Sequence, residues 1–472
     1  MADQEEWSEN ATEATTISLV RPSEGGNKTI GSFNPKFTYP IFGEEERIFG
    51  YKGLKINLRF HAHDMRPNVK VTNSQKFKAV GETEPTDVTE ILKEHLPPVA
   101  FLSASTFDNA TANLDWAPPG ELHDTFSSPD ASYEIRRGSM TDKAIHQLLI
   151  RIEIFALMFI EGGSYIGRNQ ESQEPFKLPD DAAQWTVFLL YRKQPSAVDA
   201  TKSEYTFVGY STVRRFFYFQ PPTPPASPKS DWDLPKTEID VAELPCRSRI
   251  SQFIILPPFQ GKGVGARLYN SIFKHYIESA QTKEIPVEDP NEEFDDMRDL
   301  ADLTYLRTIP DFAKVRLNSD IQLPKDHTSA VPRDIVNPVL LEKLRVQTKI
   351  VPRQFARLIE MHTMSQLSET VQPSFEEKKG SPTAEDKHQY HLWQLFVKRR
   401  IYRQNRDVLG QLDSSERLDK LNEALGSVEL EYCRLLAAHV QWAKHYENGS
   451  AAKRKIDDEA EDANPAKKAR AD

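Results

Sequence analysis

The chain has 472 residues and a formal net charge of −10, with 28% charged and 38% hydrophobic residues. That length suits two or three domains of roughly 100–200 residues, and the acidic balance points away from bulk nucleic-acid binding and towards a basic partner. Only Cys246 and Cys433 occur, and CxxC, HExxH, an N-terminal apolar segment and any long apolar run are missing; the expectation is no disulfide framework, metal, secretion signal or membrane span.

Residues 1–30 are polar and rich in Ser, Thr and Glu, and read as a flexible arm ahead of a domain over 31–138. Leu54, Ile56, Leu58 and Phe60 alternate with Lys55, Asn57 and Arg59, which predicts the first strand. His61 and His63 form a lone HxH and read as ordinary strand or surface residues. No element is predicted with any clarity over 80–138. Ile145, Leu148, Leu149, Ile152, Phe155, Ala156 and Phe159 repeat at helical spacing, so 141–161 reads as one helix ended by Gly162-Gly163.

Strand patterns at 185–192, 205–213 and 215–219 have short polar connectors and predict an antiparallel meander. The segment 220–245 carries seven prolines and must be a loop. A strand at 249–256, a helix at 265–280 and a short strand near 284–288 complete a domain over 139–330. Residues 333–365 and 384–446 read as helical throughout, in a domain spanning 331–447. The remainder, 448–472, reads as a disordered tail of mixed charge. Its clusters Lys453-Arg454-Lys455 and Lys467-Lys468-x-Arg470 match a bipartite nuclear import signal or a plain solubilising tail.

The chemistry concentrates at 249–280. A buried strand stops at Pro257-Pro258, where lost amide donors let it splay from its neighbour and open a slot for an extended ligand. Gln260-Gly261-Lys262-Gly263-Val264-Gly265 then opens a helix whose amides and dipole suit a phosphate. Gly261-x-Gly263-x-x-Ala266 also satisfies the dinucleotide fingerprint, and Glu288 lies near the place of its ribose-binding acid. Against that reading, Pro257, Pro258, Phe259 and Gln260 separate the strand from the first glycine, and the preceding strands form a meander instead of βαβ units. A glycine-rich turn with no ligand is the plainest alternative.

Gln260-x-x-Gly263-x-Gly265-Ala266 matches the Q/R-x-x-G-x-G/A motif of the Gcn5-related N-acetyltransferases. Across nearly the whole ordered chain the sequence resembles the type B histone acetyltransferase catalytic subunits. The matching segments, in order, are IFGEEERIFGYKGLKI (41–56), FIEGGSYI (159–166), RISQFIILPPFQGKGVGARLY (249–269), VEDPNEEFDDMRD (287–299) and KRRIYRQNRD (398–407). Val264 departs from the expected His, and the Pro-rich segment is longer than in relatives. The resemblance implies an α+β fold with a mixed, mostly antiparallel splayed sheet, an N-terminal α/β region and a helical C-terminal region.

It further implies acetyl-CoA as co-substrate, held by Phe253, Ile254, Ile255, Gln260, Gly261, Lys262, Gly263, Val264, Gly265, Ala266 and Asn291, without a metal. Glu288 matches the family's general base, and Asp289 and Glu161 match two further acids of its site. A base is needed because a lysine with a pKa of about 10.4 is neutral in only about one molecule per thousand at pH 7. Amides at 253–255 are suited to the charge that develops on the thioester oxygen.

Glu44, Glu45, Glu46 and Arg47, with Arg214, Phe216, Phe217, Tyr218 and Phe219, fall along the implied groove for the histone tail. Read alone, the acids are a solvated turn and the aromatics are buried sheet or a surface for a lysine stem. The family implies the histone H4 tail (with its histone partner) as substrate, direct attack in a ternary complex, a WD-repeat histone chaperone as partner, and residence in nucleus and cytoplasm. It implies no direct nucleic-acid or membrane contact. A non-catalytic histone-binding module on the same fold and a small-amine acetyltransferase are the competing functions.

Overall fold

Thr15, Ile17 and Leu19 are buried while Thr16 and Ser18 between them are not, which is the alternation of a strand with one face inward. In the computed structural model, which describes residues 5–23, 26–109, 116–128, 131–167, 176–196, 201–217, 244–323, 331–375 and 380–462, this segment is β1 (Thr15–Ser23). It pairs antiparallel with β2 (Gly26–Phe33) and parallel with β3 (Lys55–His61), which pairs antiparallel with β4 (Pro67–Thr72). The expectation of a flexible arm over residues 1–30 is therefore corrected. Thr and Ser at the less buried positions made an internal strand look like a polar tail. The strand predicted from Leu54–Phe60 is β3, with Ile56, Leu58 and Phe60 buried.

The second sheet grows from a meander, as expected. Its strands are β5 (Glu121–Ser128), β6 (Ala131–Ser139), β7 (Trp185–Pro195), β8 (Ser203–Phe217) and β9 (Cys246–Ile255). They lie in the order β9-β8-β7-β6-β5, each pair antiparallel. The β5–β6 hairpin fills part of the interval that the sequence left unread. The strands expected at 205–213 and 215–219 are one strand, because Arg214, Arg215, Phe216 and Phe217 continue the ladder onto Arg249, Ser248, Arg247 and Cys246. Tyr218, Phe219 and most of the Pro-rich segment lie outside the described residues.

Val187–Tyr191 of β7 are buried without alternation, the mark of a strand covered on both faces. Helices supply the cover. Asp142 caps α1 (Lys143–Ile152), accepting from the amides of Ala144 at 2.8 Å and Ile145 at 3.2 Å. A Cβ on Gly138 would sit 2.3 Å from Ile145 Cδ1, so α1 packs its Ile145 side chain directly against this strand position. The single helix expected over 141–161 is α1 followed by the wholly buried α2 (Ile154–Phe159), joined at Glu153. α3 (Val264–Glu278) buries Leu268, Ile272 and Tyr276, and the Tyr276 ring meets Phe188 edge-on at 6.2 Å.

The chain divides into two compact units, residues 1–276 and 277–472, so the boundaries expected near 138 and 330 do not mark the division. The second unit contains β10 (Thr282–Glu284), α4 (Glu292–Arg307), α5 (Pro338–Thr348), α6 (Pro352–Met364), α7 (Ala384–Gln404) and α8 (Ser414–Asp462). The region expected to be helical over 333–365 breaks at Lys349, whose φ of 56° ends α5. Buried charge ties these helices together. Glu360, 1% exposed, accepts from Arg400 Nε at 2.7 Å and the Tyr432 hydroxyl at 2.8 Å, and its carbonyl accepts from Trp393 Nε1 at 2.9 Å. Burial raises the Glu360 carboxyl pKa, opposed by Arg400. The tail expected to be disordered from 448 continues α8 to Asp462; residues 463–472 lie outside the described set. Among the described residues no helix is long and apolar enough to cross a membrane.

Candidate active site

The glycine-rich loop follows β9 through one 3-10 turn, Pro257–Phe259. The Gln260 side-chain amide donates to the Ile255 carbonyl at 2.7 Å, folding the loop back on the strand end. Gly261 and Gly263 have φ of 71° and 72°, left-handed values at which a side chain would be strained. Both are exposed, and a Cβ built on either meets nothing within 4 Å. The glycines are therefore not demanded by neighbouring protein atoms; they leave an open approach to backbone amides. α3 begins at Val264, so its first amides have no partner within the helix and carry the dipole's positive end. This arrangement fits a pyrophosphate.

Lys262 Nζ donates to the Pro258 carbonyl at 3.2 Å, so its charge sits beside the loop. Val264 and Ala266 are buried, which leaves their backbone as the part able to face a ligand. Phe253, Ile254 and Ile255 pair with Ser211, Tyr210 and Gly209 of β8. A Cβ on Gly209 would lie 2.2 Å from the Ile254 carbonyl oxygen, so β8 leaves no room for a side chain beside the segment expected to face the thioester.

Glu161 is exposed on the turn after α2. That turn is fixed by the Tyr39 hydroxyl, which accepts from the Gly162 amide at 2.8 Å, and by Gln252 Nε2, which donates to the Ser164 carbonyl at 2.9 Å. Sequence reasoning singled out neither Tyr39 nor Gln252. Gln252 lies one residue before the expected thioester segment, the one signal that pointed to it.

On the expected substrate side, Glu44, Glu45 and Arg47 are exposed. Glu46 differs. Its φ is 50°, and its carboxylate accepts from the Thr38 amide at 2.5 Å, the Tyr39 amide at 3.0 Å and the Thr38 hydroxyl at 3.1 Å. These bonds, led by the Thr38 amide, lower its pKa. Glu46 thus holds the short helix Tyr39–Phe42, a role the sequence did not suggest.

Arg214 pairs with Asp181 at 2.8 Å and lies over the Phe216 ring at 4.5 Å; Arg249 lies over the same ring at 4.2 Å. Arg215 covers Phe217 at 5.6 Å. The aromatics are half-buried, with guanidinium groups over their faces.

In the second unit, Glu288 is half-buried and Asp289 is exposed with φ of 33°, a strained value for a non-glycine immediately before Pro290. Asn291 caps α4, its side-chain oxygen accepting from the Phe294 amide at 2.9 Å, and Glu292, Glu293 and Asp295 lie in the first turn. The side chain that caps α4 is that of Asn291. Among the described residues no cluster of three or more His, Cys, Asp or Glu is placed to hold a metal. His61 is buried beside Asp64, and burial pushes its pKa down to about 4, as expected of a neutral strand histidine.

Comparison with known proteins bears on this geometry. The family described as "Histone acetyl transferase HAT1 N-terminus" matches residues 7–161. A histone acetyltransferase type B catalytic subunit of Gibberella zeae is 49% identical over 97% of this chain and 96% of its own. One from Pyricularia oryzae is 48% identical over 100% and 99%, and one from Candida albicans 31% identical over 92% and 90%. A solved aminoglycoside acetyltransferase covers 42% of this chain and 97% of its own at 13% identity, but its TM-score of 0.19 is too low for a fold comparison. At these identities over nearly full length, the chain belongs to the family of histone acetyltransferase type B catalytic subunits.

Proposed function

We propose that this chain transfers the acetyl group of acetyl-CoA to a lysine in the N-terminal tail of newly synthesised histone H4, by direct attack in a ternary complex. The observation that carries the reading is the open cradle at Gly261 and Gly263, left-handed and unobstructed at the mouth of α3. Acetyl-CoA supplies an activated thioester: the lysine nitrogen forms the new C–N bond, the C–S bond breaks, and coenzyme A leaves as a thiolate that takes a proton from solvent. The loop amides hold its pyrophosphate, and amides at 253–255 receive charge that builds on the carbonyl oxygen. Glu288 takes the proton from the incoming ammonium, which offsets a barrier of about 4 kcal/mol set by the three units between lysine's pKa and pH 7. Asp289 and Glu161 orient the cation or the water through which the proton leaves. No cysteine nucleophile is required: Cys246 is buried at the start of β9.

Glu45 and Arg47, exposed beside the capped Tyr39–Phe42 helix, and the Arg214–Phe217 end of β8 belong to the peptide groove in this reading. The acidic net charge of −10 suits a basic tail. A WD-repeat histone chaperone as partner, and residence in both nucleus and cytoplasm, complete the proposal; the basic clusters near the C-terminus support nuclear import, and the cytoplasm follows from the resemblance alone. The test is acetyl transfer from labelled acetyl-CoA to an H4 tail peptide in competition with polyamines. Preferential labelling of the peptide is expected. Preferential labelling of polyamines would replace the histone with a small amine.

A further inference from the structure

Gln252 occupies an unusual place in β9. Its side chain is buried, at 8% exposure, where the neighbouring even-numbered positions Ile250 and Ile254 are aliphatic. A buried amide must satisfy both its ends. Gln252 does so with different elements: Oε1 accepts from the Tyr210 hydroxyl of β8 at 3.2 Å, and Nε2 donates to the Ser164 carbonyl at 2.9 Å. Burial raises the Tyr210 pKa far above its ordinary value, so the hydroxyl remains a donor at any working pH. It thereby fixes which end of the amide faces Ser164. Glutamate could not donate to that carbonyl, and methionine could make neither bond.

The tie acts on the turn that carries Glu161. The Tyr39 hydroxyl holds Gly162, and Gly163 lies so close to α2 that a Cβ there would sit 2.2 Å from the Ala156 carbonyl. Beside the Tyr210–Gln252 pair is a cavity of about 30 Å³, bordered also by Met140, Leu149 and Ile166. That is room for one or two waters. Ile166, two residues beyond Ser164, forms part of the wall of that space. Along the chain, Gln252 directly precedes Phe253, the start of the segment assigned to the thioester.

We propose that Gln252, oriented by Tyr210, is a positioning residue for acetyl transfer. It registers the Glu161 turn against the 253–255 strand segment. The inference rests on the reading above that Glu161 is an acid of the site. Gln252 touches neither substrate; it acts through Glu161.

The experiment is a kinetic cycle on the full chain with acetyl-CoA and an H4 tail peptide: Gln252→Met, Tyr210→Phe, Glu161→Gln and the double variants with Glu161→Gln. Gln252→Met should lower kcat about tenfold, the scale of a small misplacement of a reacting group. The KM for acetyl-CoA should stay within about twofold, and Tyr210→Phe should lower kcat by about threefold. In the Glu161→Gln background neither change should slow the enzyme further. The same fall in both backgrounds would overturn the proposal while leaving Glu161 its role. An unchanged rate for Gln252→Met would do likewise. Wild-type rates for Glu161→Gln would instead remove the reading on which it rests. If Gln252→Met does not fold, the Tyr210→Phe arm decides by the same comparison.

Discussion

Replacing Gly263 with alanine separates the loop's two duties, holding its own shape and admitting a phosphate. The stability cost comes from backbone alone, because the new Cβ meets no protein atom within 4 Å. A left-handed φ of 72° costs an L-residue roughly 1–2 kcal/mol. For a unit of this size that lowers the melting temperature by about 2–6 °C. Binding should suffer more. The methyl group projects into the space a phosphate would occupy, and losing one charge-assisted amide–phosphate hydrogen bond costs about 1.5–3 kcal/mol. That weakens acetyl-CoA roughly 10- to 150-fold. Calorimetric titration gives the affinity, and acetyl-pantetheine, which lacks the pyrophosphate, is the control. Gly263→Ala should leave kcat/KM for acetyl-pantetheine within about twofold. Equal losses for both ligands would mean that the loop merely unfolds. Normal acetyl-CoA affinity in a slightly less stable protein would remove the cradle altogether.

The remaining predictions concern the acids and the helical unit. Glu46→Gln should cost at most about 1 kcal/mol of stability, as for a helix cap. The folded-state pKa of Glu46 is lowered, so its contribution is present above the ordinary glutamate value of about 4.3 and is lost as pH falls through the lower folded value. Urea unfolding of Glu46→Gln should therefore show a flatter pH dependence below about pH 4.3, and an unchanged slope would contradict the capping role. Glu45→Gln should raise the KM for an H4 tail peptide without moving stability, whereas Glu46→Gln should do the reverse; equal KM effects would place both acids in the groove. Glu360→Ala leaves the part-buried Arg400 and the buried Tyr432 hydroxyl without their carboxylate and should destabilise the second unit by about 3–5 kcal/mol, measured by thermal unfolding. A loss below about 1 kcal/mol would mean that solvent reaches the pair.

The elements that position the loop were legible because each had one strong local signal. β9 and α3 follow from apolar periodicity on either side of Pro257-Pro258, while the motif between them read alone as an anion cradle and gained its acetyltransferase meaning from the wider resemblance. β1 was not legible: the Thr and Ser beside Ile17 and Leu19 mimic a polar arm, and only pairing with β2 and β3 makes those two residues core. The 205–219 region looked like two strands because Arg214 and Arg215 interrupt its apolar run. In the sheet they continue the ladder, with Arg214 salvaged by Asp181 and the Phe216 ring.

Site residues divide the same way. Gly261 and Gly263 are glycine for reasons of backbone geometry that the motif encodes. Glu46 looked like one of three equivalent acids, and nothing local distinguishes it from Glu45. Its capping role depends on Thr38 and Tyr39 folding back onto it. Asn291 was read as a cofactor neighbour, while its side-chain oxygen is engaged at the start of α4. Beyond its place next to Phe253, nothing local marks Gln252, because its partners come from β8 and from the turn after α2, far away in sequence.

Proton removal by Glu288 is the step on which the proposed acetyl transfer turns. Its most direct test is the single-turnover rate of acetyl transfer to an H4 tail peptide, wild type against Glu288→Gln, with acetyl-CoA affinity measured on both. The variant should transfer acetyl more slowly by a factor of about 10²–10⁴, with affinity unchanged. Equal rates in the two proteins would contradict the base assignment, and acetyl-CoA binding without transfer by the wild type would contradict the enzyme itself.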